Sequence, residues 1–292
     1  MLATAPKKLY AAPTSSSERE CILFKPYIDL WQLTTDGEPI STPTAQLLPV
    51  LHHGEAAMLK VSSHPDQKRG SDLMVWWAGV GAAQVLERDE NAILMERATA
   101  KRSLADMARS GDDDEASRIL CATADKLHRE QAAALPGLVP LPLWFRELEV
   151  AAARHGGILR SSFETAQMLL AAPREEGVLH GDLHHDNVLD FGCRGWLAID
   201  PHGLFGERGF DFANIFTNPD LSDPSQPVAT QPGRFQRRLA VVAEASRLEP
   251  RRLLQWILAW TGLSAAWFLG DDDPLAEVDL HVAALALAEL NQ

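Results

Sequence analysis

Cysteine is scarce in this chain, and the three residues present, Cys21, Cys121 and Cys193, are widely separated. An odd number of scattered cysteines predicts neither a disulfide framework nor a zinc site. Apolar runs are short as well, and none approaches the roughly 20 residues that a membrane-spanning helix needs. No apolar segment follows Lys7 and Lys8 near the amino terminus, so a secretory signal is not expected. These absences predict a cytoplasmic protein with no membrane partner.

Positive charge is in deficit: 27 Lys and Arg residues stand against 40 Asp and Glu residues, for a net charge of −13 at pH 7. Proteins bind nucleic acid largely through phosphate contacts from Lys and Arg, so no nucleic-acid partner is expected. A negative surface is compatible with a cationic substrate that is attracted by the field of the whole protein. It is equally a common means of keeping a protein soluble.

The composition divides the 292 residues into three parts. Residues 1–26 are rich in Ala, Pro, Ser and Lys without periodicity, which predicts a flexible extension. Residues 27–98 contain short β-like segments separated by turn pairs, and residues 99–292 are mainly helical in pattern. The predicted fold is therefore α+β, with a β-rich N-terminal lobe followed by a mainly helical C-terminal lobe.

The most informative stretch is residues 178–200, VLHGDLHHDNVLDFGCRGWLAID. Its short apolar runs, rich in Val, Leu and Ile, predict buried strands at residues 177–179, 188–189 and 196–199. The first turn carries His180, Asp182 and Asn187, and the third strand ends at Asp200. Two carboxylates and an amide brought together by strand ends form the kind of oxygen site that Mg²⁺ prefers.

The spacing of these residues matches the catalytic loop of kinases, His-x-Asp-Leu-x-x-x-Asn, followed by a strand that ends in the magnesium aspartate. It predicts that Asp182 aligns a hydroxyl nucleophile and accepts its proton, while Asn187 and Asp200 hold Mg²⁺. His180 is predicted to support this turn. Asp211, which begins the helical run DFANIF, is either the N-cap of that helix or an additional brace beneath the turn.

A second interpretation exists for the same stretch. The dense cluster of His180, Asp182, His184, His185 and Asp186 also resembles the H-x-H-x-D-H signature of metallo-β-lactamase-type hydrolases. However, position 182 is Asp where that motif has His, and no strand–loop–helix unit precedes the cluster. Phosphoryl transfer is therefore the favoured interpretation of this stretch.

Upstream residues complete a nucleotide site. Lys60, inside the third predicted strand, matches the lysine of Val-Ala-Ile-Lys that contacts the α- and β-phosphates. No Gly-x-Gly-x-x-Gly precedes it, so Ser41 and Thr42 are the candidate phosphate-binding residues in the preceding turn. The strand at 91–98 runs into a polar linker, where backbone groups of Glu96 and Ala98 are predicted to bind the adenine edge.

The predicted helix at 66–77 should supply an acidic partner for Lys60. Asp66 and Asp72 are the candidates, with Gln67 between them. Beyond Asp200, the three glycines in residues 201–211 predict a loop that faces the substrate.

Several stretches of the sequence resemble those of one kinase family. The stretch LHGDLHHDNVLDFG…GWLAIDPHGLFGERGFDFANIFTNPDLSDP resembles the aminoglycoside/hydroxyurea antibiotic-resistance kinases, as do MLKV around Lys60, ILMERA at 93–98 and AWTGLSAAWF at 259–268. The similarity runs from about Trp31 to Leu290. It implies a protein-kinase-like two-lobed fold that binds ATP and Mg²⁺. The flanking residues imply transfer of the γ-phosphoryl group to the 6-hydroxyl of streptomycin's streptidine ring.

The resemblance also bears on the substrate contacts. Streptomycin carries two guanidinium groups, which pair well with carboxylates. Glu207, Asp271, Asp272 and Asp273 are the candidate partners, although the three aspartates equally fit a solvated loop between helices. Other hypotheses remain open: a kinase of another small alcohol, or a non-catalytic nucleotide-binding relative, the latter because Gln67 stands where the family often has Glu. A monomer is expected.

Overall fold

The computed structural model describes residues 16–292, so that the part of the predicted extension before residue 16 lies outside the described residues. The N-terminal lobe contains an antiparallel sheet with strand order β1-β3-β4-β6-β5, and β2 pairs with β3. Its elements are α1 (Ser16–Leu30), β1 (Thr34–Thr35), β2 (Ile40–Ser41), β3 (Gln46–His52), β4 (Glu55–Val61), α2 (Pro65–Trp77), β5 (Val85–Arg88) and β6 (Ala92–Glu96).

Alternation along β4 decides which residues of this sheet reach the cleft between the lobes. Leu59 and Val61 lie on one face and are buried in an apolar cluster with Val50 and Phe24. Because successive side chains of a strand point to opposite faces, Lys60 lies on the other face and lines the cleft. The sheet therefore buries its apolar face under α1 and presents the lysine toward the C-terminal lobe.

Helix α1 corrects the predicted flexible extension for residues 16–26. Phe24 is only 1% exposed and belongs to the apolar cluster on the sheet. Pro26 lies inside the helix, where a proline removes a backbone donor and disfavours helical structure. The composition of this segment does not indicate a helix, but the packing of Phe24 against the sheet stabilises one.

The apolar residues of segment 31–33 have the pattern expected of a strand, yet this segment does not form one. The strand of this region is β1, and Trp31 and Leu33 instead pack with the cluster beneath the sheet. Both residues are large and apolar, so the pattern indicated their burial correctly but not their backbone conformation.

The C-terminal lobe is mainly helical, as expected. Its elements are α3 (Leu104–Met107), α4 (Asp113–Leu127), β7 (Val139–Pro140), α5 (Leu141–Trp144), α6 (Arg146–His155), α7 (Gly157–Ala171), β8 (Glu176–Leu179), β9 (Val188–Asp190), β10 (Trp196–Ala198), β11 (Leu204–Glu207), α8 (Gly209–Ala213), α9 (Arg234–Ser246), α10 (Pro250–Gly270) and α11 (Ala276–Leu290). Strand β11 pairs with β7 and β8, which corrects the substrate-facing loop predicted for that segment.

Helix α10 is the centre of this lobe and packs against α7, α8 and α11. By length and composition alone it could cross a membrane, but 72% of its most apolar window is buried inside the fold. It carries large side chains such as Trp256 and Ile257, which are fully buried. Burial of this extent is typical of the core helix of a folded domain.

Helix α2 joins the two lobes. It follows the N-terminal sheet in sequence, yet Leu73, Met74 and Trp77 belong to the large apolar core of the C-terminal lobe. The indole nitrogen of Trp77 donates a hydrogen bond to the carbonyl of Leu127, at 3.1 Å. Gly70 allows the close approach, because a Cβ at that position would lie 2.1 Å from the carbonyl oxygen of Pro201. The helix is thus docked against the segment that follows Asp200.

Candidate active site

The turn between β8 and β9 holds the catalytic motif. Asp211, on α8, lies beneath this turn and accepts hydrogen bonds from the backbone N–H groups of His180 (2.9 Å) and Gly181 (2.8 Å). Gly181 has a φ of +89°, and a Cβ there would lie 2.8 Å from the side chain of Leu204, so only glycine fits without strain. Asp211 therefore braces the turn, which is one of the two roles that its position in the sequence allowed.

His180 is a buried structural residue of this turn. Its Nε2 donates to the carbonyl of Ile199 at 2.9 Å, and its Nδ1 accepts from the N–H of Asp182 at 3.2 Å. Burial lowers the pKa of His180 against the opposing influence of Asp211, so the ring stays neutral. The ring also stacks on Trp77 at a centroid distance of 6.1 Å, which ties the turn to α2.

Asp182 is held by amide groups on both of its carboxylate oxygens. Oδ2 accepts from Asn187 Nδ2 at 2.9 Å, and Oδ1 accepts from Asn214 Nδ2 at 2.7 Å. Burial favours the protonated form, but the charge and hydrogen bond of His184 outweigh it and hold the pKa of Asp182 well below its usual range. The side chain remains 30% exposed at the mouth of the cleft. It is an ionised, oriented carboxylate with access to a substrate.

The neighbouring residues His184 and His185 lie in different surroundings. His184 Nε2 lies 3.5 Å from Asp182 Oδ2, and this carboxylate raises the pKa of His184 although burial acts in the opposite direction. His185 is buried, and burial together with the charge of Arg238 lowers its pKa well below the usual value. Within residues 16–292, no three His, Cys, Asp or Glu side chains converge as metal ligands. This arrangement does not support the metallohydrolase interpretation.

Asp200 connects the two lobes across the cleft. Its Oδ1 accepts a hydrogen bond from Lys60 Nζ at 2.6 Å, and its side chain remains 44% exposed. The φ of Asp200 is +58°, a left-handed conformation that non-glycine residues adopt rarely and that clusters at functional sites. Asn187 lies next to it, because the N–H of Ile199 donates to the Asn187 carbonyl at 2.9 Å.

The donor chemistry of this pair fits a divalent cation. Asn187 uses its Nδ2 group to donate to the backbone and side chain of Asp182, which leaves its amide oxygen as an acceptor. The carboxylate of Asp200 supplies a second oxygen donor beside it. A small set of hard oxygen ligands with room for water or phosphate oxygens is the arrangement that Mg²⁺ takes in proteins.

A cavity of about 110 Å³ opens between the sheet and this pair. Thr42, Glu96 and Ala98 line it together with Lys60 and Asp200. Its walls are apolar, as an adenine site requires. They include Ala45, Leu47, Met58, Met95, Leu189, Phe191 and Ile199.

Of the residues predicted to bind phosphate and adenine, Thr42, Glu96 and Ala98 line this cavity, whereas Ser41 does not. Thr42 lines it, and its hydroxyl bonds to the backbone of Ala45 at 3.0 Å. Ser41 lies one residue away, with its hydroxyl donating to Gln46 at 2.7 Å. The N–H of Glu96 donates to the Gln84 carbonyl, and its carboxylate pairs with Arg194. Adenine contacts from Glu96 and Ala98 stay a prediction for their remaining backbone groups.

The expected acidic partner of Lys60 does not come from α2. Asp66 pairs with Arg69 at 2.7 Å and Asp72 pairs with Arg88, so both carboxylates are bound elsewhere. Gln67 donates to Thr44 Oγ1 at 3.2 Å. The carboxylate that pairs with Lys60 is instead that of Asp200, at 2.6 Å.

Glu207 requires a correction as a substrate contact. Its side chain is 2% exposed, and it accepts hydrogen bonds from Arg252 Nε (2.8 Å), Trp256 Nε1 (2.7 Å) and the N–H of Arg174 (2.9 Å). Burial opposes its ionisation, yet these donors lower its pKa below the usual value. Glu207 was predicted to pair with a guanidinium group of the substrate, but it pairs with that of Arg252.

The three aspartates at 271–273 follow the end of α10. Asp271 and Asp272 are exposed, and Asp273 accepts a hydrogen bond from the N–H of Leu275 at 2.9 Å. Trp267 lies one turn before Asp271 on the same helix. A role for these carboxylates in substrate binding stays a prediction.

A second, larger cavity lies beside the catalytic turn on the C-terminal lobe, with a volume of about 480 Å³. We call it the tryptophan pocket. The residues that line it are Asp66, Arg69, Val139, Leu143, Trp144, Arg146, Glu147, His202 and Trp267. His202 connects it to the active site, because its N–H donates to the carbonyl of His180 at 2.7 Å. Asp200 lines the first cavity, and His202, two residues later, lines the tryptophan pocket.

Comparison with known proteins agrees with this geometry. The family model for aminoglycoside/hydroxyurea antibiotic resistance kinases matches residues 30–272. The chain belongs to this family. It is 54% identical to a streptomycin 3''-kinase of Klebsiella pneumoniae over 262 residues, which cover 89% of this chain and 98% of the relative. It is 30% identical to a streptomycin 6-kinase of Streptomyces griseus, covering 84% of this chain and 81% of that relative.

The fold comparison identifies the architecture. A crystal structure of aminoglycoside phosphotransferase APH(4)-Ia, in a ternary complex with ADP and hygromycin B, superimposes with a TM-score of 0.63 at 17% identity. The match covers 90% of this chain and 97% of that chain. The predicted protein-kinase-like fold is confirmed, and kinase activity toward an alcohol group follows from membership of the family.

Sequence reasoning missed several residues of this site. Asn214 lies three residues after Asp211 on the same helical run, and this spacing could have identified it as a second residue facing the catalytic turn. His128 follows the end of α4, and its Nε2 lies 2.8 Å from Asp211 Oδ2. Those two residues are 83 positions apart, so that no local pattern could have paired them.

Proposed function

We propose that this protein inactivates streptomycin by ATP-dependent phosphorylation of its 3''-hydroxyl. The observation that carries the proposal is the convergence of Lys60, Asp182, Asn187 and Asp200 at the mouth of one cleft. The three streptomycin kinases among the relatives support the choice of substrate. The negative net charge of the chain favours such a cationic antibiotic.

The choice of hydroxyl rests on the relatives. The 3''-kinase shares 54% identity with this chain across nearly its whole length, while the 6-kinase shares 30%. The sequence motifs by themselves had favoured the 6-hydroxyl. The greater identity and coverage favour the 3''-hydroxyl, and the 6-hydroxyl of the streptidine ring is the second candidate.

Asp182 is the residue that faces the acceptor hydroxyl. Because its pKa is held low, it is ionised at neutral pH and is a weak base. We infer that it orients the hydroxyl oxygen toward the γ-phosphorus and takes the proton late, as the new O–P bond forms and the bond from the γ-phosphorus to the departing ADP breaks. This suits the loose transition state of phosphoryl transfer, in which positioning dominates over base strength.

Residues on both sides of Asp182 bind the nucleotide. Lys60 contacts the α- and β-phosphates, and Asn187 and Asp200 hold Mg²⁺, which neutralises charge on the phosphate oxygens when it is bound. His184, whose pKa Asp182 raises, lies beside the reacting centre, with its Nε2 3.5 Å from Asp182 Oδ2. Thr42 and Ser41 contribute to the phosphate side of the cleft, and backbone groups of Glu96 and Ala98 contact adenine.

The cellular setting follows from the same proposal. We infer a monomer that acts in the cytoplasm, with neither nucleic acid nor membrane as a partner. Asp271, Asp272 and Asp273 remain candidate contacts for the cationic groups of the antibiotic, at the end of α10.

The test uses the purified protein with labelled ATP, Mg²⁺ and a panel of aminoglycosides and small alcohols. The expected result is transfer to streptomycin, with the phosphate located on the 3''-oxygen by phosphorus–proton NMR correlation. Phosphate on the 6-oxygen would replace the first candidate by the second. Turnover of a small alcohol alone, or ATP binding without turnover, would refute the assignment of streptomycin as the substrate.

A matched variant tests the role of Asp182. We expect Asp182→Ala to lower kcat by roughly 10²–10⁴-fold with little change in the affinity for ATP. Near wild-type turnover in this variant would show that another group orients the hydroxyl.

A further inference from the structure

The tryptophan pocket has no role in the nucleotide site, and its walls are aromatic. Trp144 and Trp267 meet edge to face at a centroid distance of 5.6 Å, and the ring of His202 lies 5.1 Å from that of Trp144. The volume of about 480 Å³ is within the range of small-molecule sites. The pocket is therefore large enough for one substituted ring of a substrate.

The charges in the pocket are unevenly matched. Asp66 pairs with Arg69 at 2.7 Å, and Arg69 also donates to the His202 carbonyl at 2.8 Å. Glu147 has only a distant neighbour in Arg146, at 3.8 Å, and both of these side chains are more than half exposed. An ion pair with this geometry contributes little. Glu147 is therefore the carboxylate of the pocket that is least bound by its own chain.

The indole nitrogen of Trp144 is a further feature of this pocket residue. It is buried, and no hydrogen-bond acceptor within residues 16–292 contacts it. A buried donor without a partner costs free energy unless a ligand or water satisfies it. A cationic ligand of the pocket would supply a charge for Glu147, which lines the same cavity as Trp144.

Resting on the function proposed above, we propose that the tryptophan pocket binds the streptidine ring, with its guanidinium groups against Trp144 and Trp267 and paired with Glu147. A planar guanidinium group can stack on an indole and at the same time form parallel hydrogen bonds to a carboxylate. The 3''-hydroxyl belongs to the N-methylglucosamine ring, at the other end of streptomycin. The antibiotic would then extend from the pocket, past His202, to Asp182.

The test compares Trp267→Leu, Trp267→Phe and Glu147→Gln with the wild-type enzyme. Glu149→Gln is the matched control, because Glu149 is an exposed carboxylate on the same helix α6 that does not line the pocket. We expect the KM for streptomycin to rise about 10-fold in Trp267→Leu and about threefold in Trp267→Phe, since only the former loses the ring. Glu147→Gln should raise it about fivefold. The kcat value and the KM for ATP should stay within about twofold of wild type in all four variants.

Free streptidine, which carries the guanidinium groups but no 3''-hydroxyl, provides an independent probe. It should inhibit the wild-type enzyme competitively against streptomycin, and its inhibition constant should rise in parallel in Trp267→Leu and Glu147→Gln. An unchanged KM in both variants, or no competition by streptidine, would overturn the proposal. If Trp267→Leu does not fold, the KM for streptomycin in Glu147→Gln tests the proposal. The side chain of Glu147 is more than half exposed, so this substitution should not disturb folding.

The two proposals fail in distinguishable ways. If the wild-type protein phosphorylates no streptomycin, the proposed function is wrong, and the pocket is then tested by calorimetric titration with streptidine alone. Binding that is lost in Trp267→Leu and Glu147→Gln supports the pocket, and absence of binding overturns it. Phosphorylation at the 6-hydroxyl would also overturn it, because the streptidine ring would then lie at Asp182.

Discussion

The substitution Asp211→Asn tests whether the catalytic turn is positioned from beneath. The carboxylate accepts three hydrogen bonds, from the N–H groups of His180 and Gly181 and from His128 Nε2, all between 2.8 and 2.9 Å. An asparagine has nearly the same size but only one acceptor oxygen, and its NH₂ group would face one of these donors. The substitution therefore removes the charge and breaks at least one bond without creating a cavity.

The magnitude follows from the number of bonds. A hydrogen bond to a charged group contributes about 1.5–3 kcal/mol, so the loss of one or two should reduce the free energy of unfolding by roughly 2–5 kcal/mol. The turn that carries Asp182 should also shift, and a displacement of about 1 Å at a reacting group can reduce the rate by roughly 10²-fold. We expect urea denaturation to report the first effect and kcat with streptomycin to report the second.

The matched control is Asp220→Asn. Asp220 is also buried and accepts from the N–H groups of Val228 (2.7 Å) and Ala229 (2.9 Å), but it does not contact the catalytic turn. It should lose comparable stability and keep kcat within about threefold of wild type. If Asp211→Asn behaved in the same way as this control, the carboxylate would not position the turn, and the reasoning would be refuted.

Acid titration gives a second measurement for the same group. Burial of Asp211 favours protonation, but the hydrogen bond and charge of His128 lower its pKa below the usual value of 3.8. A depressed pKa in the folded state contributes stability that is present above pH 4 and is lost as the pH falls toward the folded-state value. The wild-type protein should therefore lose stability below about pH 4 more steeply than Asp211→Asn does.

Three further predictions concern the rest of the fold. Glu207→Gln should destabilise the protein by about 3–5 kcal/mol, because it leaves a guanidinium group buried without its charge partner; a streptomycin KM that changed at unchanged stability would contradict this. Gly70→Ala places a Cβ 2.1 Å from the Pro201 carbonyl oxygen, so the KM for ATP should rise and the melting temperature fall, while Gly137→Ala, with no atom within 4 Å, should leave both unchanged. Burial raises the pKa of Asp279 to about 8, so calorimetry should show stability declining from pH 4 to 8 in the wild type and a flatter profile in Asp279→Asn, a result that equal slopes would refute.

The catalytic turn was predictable because its residues are contiguous. The motif from His180 to Asn187 spans a single turn between two strands, and the strand after it delivers Asp200 to the same edge. Lys60 was predictable for a similar reason, since the alternation of its strand separates it from the buried Leu59. Local periodicity and a short motif carry this information without any knowledge of tertiary contacts.

Other assignments failed where a residue's partner is distant in the chain. Glu207 was predicted to bind a ligand, but its carboxylate instead accepts a hydrogen bond from Arg252, which lies 45 positions later in the chain. The predicted extension failed because the packing of Phe24 against the sheet stabilises a helix in a segment whose composition suggests none. In both cases the structure depends on which side chains are buried together, and that burial depends on the whole fold.

The sequence by itself determined the family, the two-lobed fold and the grouping of Asp182, Asn187 and Asp200 around one turn, because these depend on side-chain types at fixed local spacing. Only the tertiary structure decided that Asp211 is shared between His128 and the catalytic turn. It alone also showed that two tryptophans and a weakly paired carboxylate enclose a cavity beside that turn. The physical reason is that hydrogen bonding, desolvation and cavity shape are properties of contacts, and those contacts join residues that the chain keeps far apart.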